Sequence, residues 1–132
     1  MTPGSLGEAQ RAWLADALDR HSNKPALVMV HHQPDDRERA FASGLLDTAQ
    51  TLAVLRDRPH VKAWLFGHRH RWSHEQRDGL HLINLPTTAY VFDDKQPAGW
   101  VDARSTARGM SLEMRSLDKR HPQHAAKIEI PW

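Results

Sequence analysis

Short apolar runs alternate with helix-length amphipathic stretches in the first half of the chain, and the spacing predicts most of its elements. Leu6, Ala9, Trp13, Leu14, Ala17 and Leu18 recur at helical spacing, which predicts a helix over Leu6 to Arg20 with one face buried. Ser5-Leu6-Gly7-Glu8 has the S-x-x-E form of a capping box, so Ser5 and Glu8 are expected to satisfy amides of the first turn. Ala26 to Val30 (ALVMV) is a continuous apolar run of strand length, as in a strand covered on both faces of a parallel sheet. It ends in His31-His32-Gln33-Pro34, where Pro34 stops the ladder. Leu45, Ala49, Leu52 and Ala53 share a face and predict a second helix over Leu45 to Arg56, closed by Pro59. A second buried strand, Val61 to Phe66, stops at Gly67, which lets the backbone turn tightly and deliver His68 and His70 beyond it.

Helix, strand, helix, strand with short connections is the alternation of a parallel sheet. In such sheets ligands bind beyond the carboxyl ends of the strands, where both His pairs lie. After His74 the pattern changes. Leu80 to Leu85, Thr87 to Phe92, Gly99 to Arg104 and Met110 to Leu117 read as strands, with Asp78-Gly79 and Arg108-Gly109 as turns and an edge strand at Ile128 to Ile130. The expected fold class is α/β, a short parallel sheet with two helices followed by mainly antiparallel strands. At 132 residues this is one domain, 1–132.

Composition narrows the chemistry. The chain has no Cys, which excludes disulfides and thiolate sites, so any metal must rest on His, Asp or Glu. Its 18 basic and 16 acidic residues are interspersed, which argues against a dedicated nucleic-acid groove. No apolar run approaches a membrane span, and the N-terminus lacks a basic start and an apolar leader, so a cytoplasmic protein is expected. The ten His are the compositional oddity. His31, His32, His68 and His70 form two tight pairs, each at the end of an apolar strand. Surface loops often carry His, but the strand-end position of both pairs favours a metal site. His60 and His81 flank strands and read as structural, while His21, His121 and His124 lie in polar stretches.

The chain resembles the calcineurin-like metallophosphoesterases, and within them the cyclic-nucleotide and glycerophosphodiester phosphodiesterase branch. The resemblance rests on Gln10-x-x-Trp13-Leu14, on His31-His32-x-Pro34, on Leu65-Phe66-Gly67-His68-x-His70, and on the strand Leu82-Ile83-Asn84-Leu85-Pro86. It implies half of the family's αββα sandwich and a metal-dependent phosphoesterase that hydrolyses phosphodiesters or phosphotriesters by a metal-bound hydroxide. It also implies a small phosphate-ester substrate and divalent Zn, Mn or Fe, one or two per chain. His31, His68 and His70 would be the ligands, with His31 and His68 on one metal and His70 on the other.

The chain has no G-N-H-[DE] segment, and Met1 falls about where the family's second half begins. The resemblance thus implies a single truncated domain with half of a site. The alternative is a non-catalytic metal-binding or assembly fragment.

Three neutral imidazoles with an open fourth position are sufficient for a hydrolytic metal site. His32 is the candidate proton donor or a further ligand. Arg69 and Arg71 are candidates for binding a phosphoryl oxygen. Asp35, Asp36 and His74 are the further candidate ligands, and Asp47 is a nearby carboxylate. A sheet edge and an apolar face left bare by the missing half would be covered by self-association, so a homo-oligomer, first a dimer, is expected.

Overall fold

The computed structural model describes residues 2–35 and 43–132. Its central strands are β2 (Val61–Phe66) and β4 (Leu80–Asn84), which pair in parallel, and every residue of β4 is buried. β1 (Ala26–Met29) adds in parallel on one side of β2, and β3 (Ser73–Arg77) adds antiparallel on the outer side of β4, giving the order β1-β2-β4-β3. β5 (Gly99–Thr106), β6 (Gly109–Ser116) and β7 (Lys127–Pro131) form a second, antiparallel sheet in sequence order.

Successive side chains of a strand point to opposite faces, and β2 uses both. Trp64 packs with Leu18 of helix α1 (Gly7–Arg20), with Leu52 and Leu55 of helix α2 (Thr48–Arg56), and with Leu82. Ala63 and Leu65 turn the other way, with Ile83, onto Leu112, Met114 and Ile130 of the second sheet. The layers are therefore helices, parallel-centred sheet, antiparallel sheet: three layers of an αββα sandwich, with two separate cores.

Several expectations change. β1 lies at the edge of the sheet and is covered on both faces only in part: Val28 is buried in the helix-side core, Leu27 packs on the core between the sheets, and Met29 is 71% exposed. Trp13 is 61% exposed, on the outer face of α1. Thr87 to Phe92 is not a strand; Thr87 makes one isolated bridge to Ala98, and the rings beyond it turn toward His70. β3, which lacks an apolar face, forms because Asp78 and Gly79 both take positive φ, 51° and 82°, the geometry of a tight hairpin turn onto β4.

The start of α1 is also held differently from the predicted capping box. No side chain caps the helix locally. The Asp47 carboxylate, 40 residues away in sequence, accepts the Gly7 N–H at 2.9 Å and the Leu6 N–H at 3.1 Å, and pairs with Arg11. Burial alone would raise the Asp47 carboxyl, but the Gly7 and Leu6 amides, with the Ser5 hydroxyl, hold it below its ordinary 3.8. Ser5 therefore acts through Asp47.

Candidate metal centre

The parallel ladder of β1 and β2 continues past both strand ends. The Val30 N–H donates to the Leu65 carbonyl at 3.1 Å, and the Gly67 N–H donates to the His31 carbonyl at 3.0 Å. The first residues beyond the two strands are thereby set side by side. The tight turn comes from the histidines themselves: His68 and His70 have φ of 66° and 51°, while Gly67 does not take positive φ. Non-glycine residues in this region are uncommon and cluster at functional sites.

His31 Nε2 lies 3.2 Å from His68 Nδ1. The His32 ring stands 5.1 Å from that of His31 and 4.4 Å from that of His68. The two ring nitrogens are at hydrogen-bond distance, the donor being whichever ring carries its proton on that nitrogen. His68 Nε2 is buried and has no partner. Burial first, then the neighbouring His32 and His31, push the His68 imidazole below 6.5 and favour its neutral form.

The residues fit a divalent metal. Two nitrogens bound to one tetrahedral ion at about 2.0–2.1 Å stand about 3.3–3.4 Å apart, close to the His31–His68 separation. His70 points elsewhere: its Nδ1 donates to the Tyr90 carbonyl at 2.6 Å, and its ring stacks on Phe92 at 4.6 Å. That bond leaves the lone pair on Nε2, the usual arrangement for a metal-binding imidazole whose other nitrogen is anchored. Among the described residues, no three His, Cys, Asp or Glu come together as a group that could hold a metal ion, so the fit rests on the His31–His68 pair alone.

The other expected residues are dispersed. His32 Nε2 donates to the Thr2 carbonyl at 3.1 Å, so its proton is already engaged. Asp35 accepts the amides of Ser43 and Gly44, both at 2.9 Å, and so ties its loop. Asp36 lies outside the described residues. His74 stacks on His81, with 3.0 Å between ring nitrogens, and does not join His31 and His68. Arg69 and Arg71 line a cavity that none of His31, His32, His68 or His70 borders.

Asn84 is the residue that sequence reasoning missed. Its Nδ2 donates to the Arg71 carbonyl at 2.6 Å and to the Leu85 carbonyl at 2.9 Å, pinning the end of the loop that carries His68 and His70. An amide inside the otherwise apolar run Leu82 to Leu85 is the signal that marks it.

Comparison with known proteins follows the same line. No family model matches the chain. It is 33% identical over 94 residues to a 3',5'-cyclic-nucleotide phosphodiesterase of Nostoc, covering 70% of this chain and 35% of that protein. It is 35% identical over 100 residues to the 3',5'-cyclic adenosine monophosphate phosphodiesterase CpdA of Escherichia coli K12, covering 67% and 33%. The manganese-dependent ADP-ribose/CDP-alcohol diphosphatase of Oryza sativa is 30% identical over 88 residues, covering 64% and 27%. In fold, the chain is similar to a dimetal phosphatase from Danio rerio, with a TM-score of 0.73 at 17% identity over 96% of this chain and 38% of that one.

Fold and strand-end histidines define a metallophosphoesterase-type domain. The chain belongs to the calcineurin-like metallophosphoesterases, on the side of the cyclic-nucleotide phosphodiesterases, and spans about a third of the length of the curated relatives first matched. Among the described residues, no helix is long and apolar enough to cross a membrane.

Proposed function

We propose that this chain carries the histidine part of a metal-dependent phosphoester hydrolase site, with phosphodiesters or activated phosphotriesters as substrates. The observation that carries the reading is the 3.2 Å approach of His31 Nε2 and His68 Nδ1 at the ends of adjacent parallel strands. The curated relatives, two named as cyclic-nucleotide phosphodiesterases and one as a manganese-dependent diphosphatase, support it.

His31 and His68 would hold one divalent Zn, Mn or Fe ion, and His70, through Nε2, would face a second. The ion would supply a Lewis acid for the phosphoryl oxygen and would acidify a bound water. Asn84 holds the loop in place through the Arg71 carbonyl, and Tyr90 fixes the tautomer of His70. His32, held on Thr2, buttresses the His68 ring; release from Thr2 would free its proton for a leaving group.

Asp35 and Asp47 are both engaged in holding loops or helix ends. This favours a site whose carboxylates come from beyond the described residues. A second copy, docked on the open edge of β1 beside the exposed Met29, is the corresponding assembly, in a cytoplasmic setting.

Hydrolysis of a chromogenic phosphodiester with added Mn or Zn tests the reading. The expected result is turnover that falls to background in His31→Ala and His68→Ala. Equal rates for the variants and the parent chain would overturn it.

A further inference from the structure

β3 and β4 carry a histidine pair that the strand-end site does not use. His74 lies opposite Ile83 and His81 opposite Gln76, so the two rings meet diagonally across the antiparallel ladder. His74 Nε2 stands 3.0 Å from His81 Nδ1, and the rings are nearly parallel, at 8°. Gln76 reaches the other nitrogen of His81, Nε2, at 3.1 Å. One ring of the pair is therefore held in place and the other is accessible: His81 is 8% exposed, whereas His74 is exposed on the outermost strand of its sheet.

The donor set is neutral and made of nitrogen. Glu75 and Arg77 alternate onto the opposite face of β3, where they pair with each other at 2.8 Å. Among the described residues, no carboxylate joins the two imidazoles in a group of three. Gln76 sets an amide nitrogen on His81 Nε2, which leaves the His81 proton on Nδ1, between the rings. Turning that amide over presents its oxygen to an Nε2–H instead, and moves the proton out of the gap without changing the charge. With the His74 proton on its outer nitrogen, two lone pairs then face each other, an arrangement that a cation between them stabilises. Two nitrogens on one tetrahedral ion stand about 3.3–3.4 Å apart, so the gap opens by a few tenths of an ångström, which the exposed His74 ring can supply.

We propose that His74 Nε2 and His81 Nδ1 form a two-nitrogen clamp for a divalent ion that favours imidazole, Zn or Cu, with water in its remaining positions and Gln76 holding the His81 ring. Mg and Ca, which favour oxygen ligands, are not expected to bind there. The ion would tie the edge strand β3 to β4. The site is separate from the His31–His68 pair and does not depend on it.

Nitrogen-edited NMR of the histidine rings tests this, in chelator-treated His31→Ala/His68→Ala titrated with Zn and, separately, with Mg. The His74 and His81 ring nitrogens are expected to shift saturably with Zn and to stay in place with Mg. Adding His74→Ala should abolish the saturable shift at His81. Gln76→Ala, which leaves both ligands but frees the His81 ring, should weaken Zn binding about tenfold or more. The spectrum reports whether each variant is folded, and the same titration of the parent chain, with and without His74→Ala, gives the answer if the double variant is not. The proposal is overturned if Zn moves neither ring, if the His81 shift persists undiminished in His74→Ala, or if Mg produces the same shifts. None of these outcomes bears on phosphoester hydrolysis, because the clamp is read without the strand-end pair and without turnover.

Discussion

His31 Nε2 and His68 Nδ1 stand 3.2 Å apart because the β1–β2 ladder runs one step beyond each strand, from the Gly67 N–H to the His31 carbonyl. The price of that placement is a left-handed backbone at His68, with φ of 66°. Glycine tolerates this conformation and alanine does not. His68→Gly should therefore be more stable than His68→Ala by about 1 kcal/mol, as read from denaturant midpoints. Equal stability would mean that the loop relaxes once the imidazole is removed and that no strain is held there.

Gly4 leaves room for the His32 ring. A Cβ at Gly4 would clash with the His32 ring, Nδ1 first, and the ring is itself held by the Thr2 carbonyl. Gly4→Ala is expected to displace the His32 imidazole, shifting its ring NMR signals, and to destabilise by about 1–3 kcal/mol. Unchanged ring signals in a folded Gly4→Ala variant would contradict the packing described.

Removal of the Asp47 carboxylate tests how α1 is anchored. Asp47→Ala leaves the Leu6 and Gly7 amides unsatisfied and Arg11 without its partner. Loss of this remote cap should cost about 1–3 kcal/mol. Glu8→Ala, which removes the exposed carboxylate of the predicted capping box, should stay within about 0.5 kcal/mol. If Glu8→Ala costs as much as Asp47→Ala, the local box holds the helix.

His81 gives the fold a pH dependence. Burial, and then His74, depress its pKa below 6.5. The folded state therefore binds fewer protons than the unfolded state as pH falls through 6.5, and stability declines with acidification until the folded pKa is passed. Above 6.5 the contribution is fully present. His81→Gln should lose less stability than the parent chain between about pH 7.5 and pH 5.5, measured by urea midpoints. An equal loss would assign the acid sensitivity to other groups.

Much of this was legible in the sequence because burial and pattern coincided. β2 follows its apolar run directly, and β6 shows Leu112 and Met114 inward against Ser111 and Glu113, whereas the helices match in place more than in face: Ala9, Trp13, Ala49 and Ala53 are exposed, and Thr48, Thr51 and Leu55 are buried with Leu52 in α2. The His31–His68 pairing follows from two strands of a parallel sheet ending together. What was not legible depends on tertiary partners. The ALVMV run reads as doubly covered, and Val28 and Leu27 do pack on opposite cores, but its place at the sheet edge, with Met29 exposed, is not legible because hydrophobicity alone does not reveal strand order. Ser5 and Glu8 match a local cap motif, but the helix start is held instead through the Leu6 and Gly7 amides by Asp47 from across the fold. Tyr90 and Phe92 read as strand residues, but their segment instead packs aromatic rings on His70.

Metal content tests the central claim most directly. The parent chain and His68→Ala would each be dialysed against Mn or Zn, freed of loose ion, and subjected to elemental analysis. The account predicts one or two ions per parent chain and a clear loss in His68→Ala. A parent chain that retains no metal, or a variant that retains as much as the parent, would contradict it.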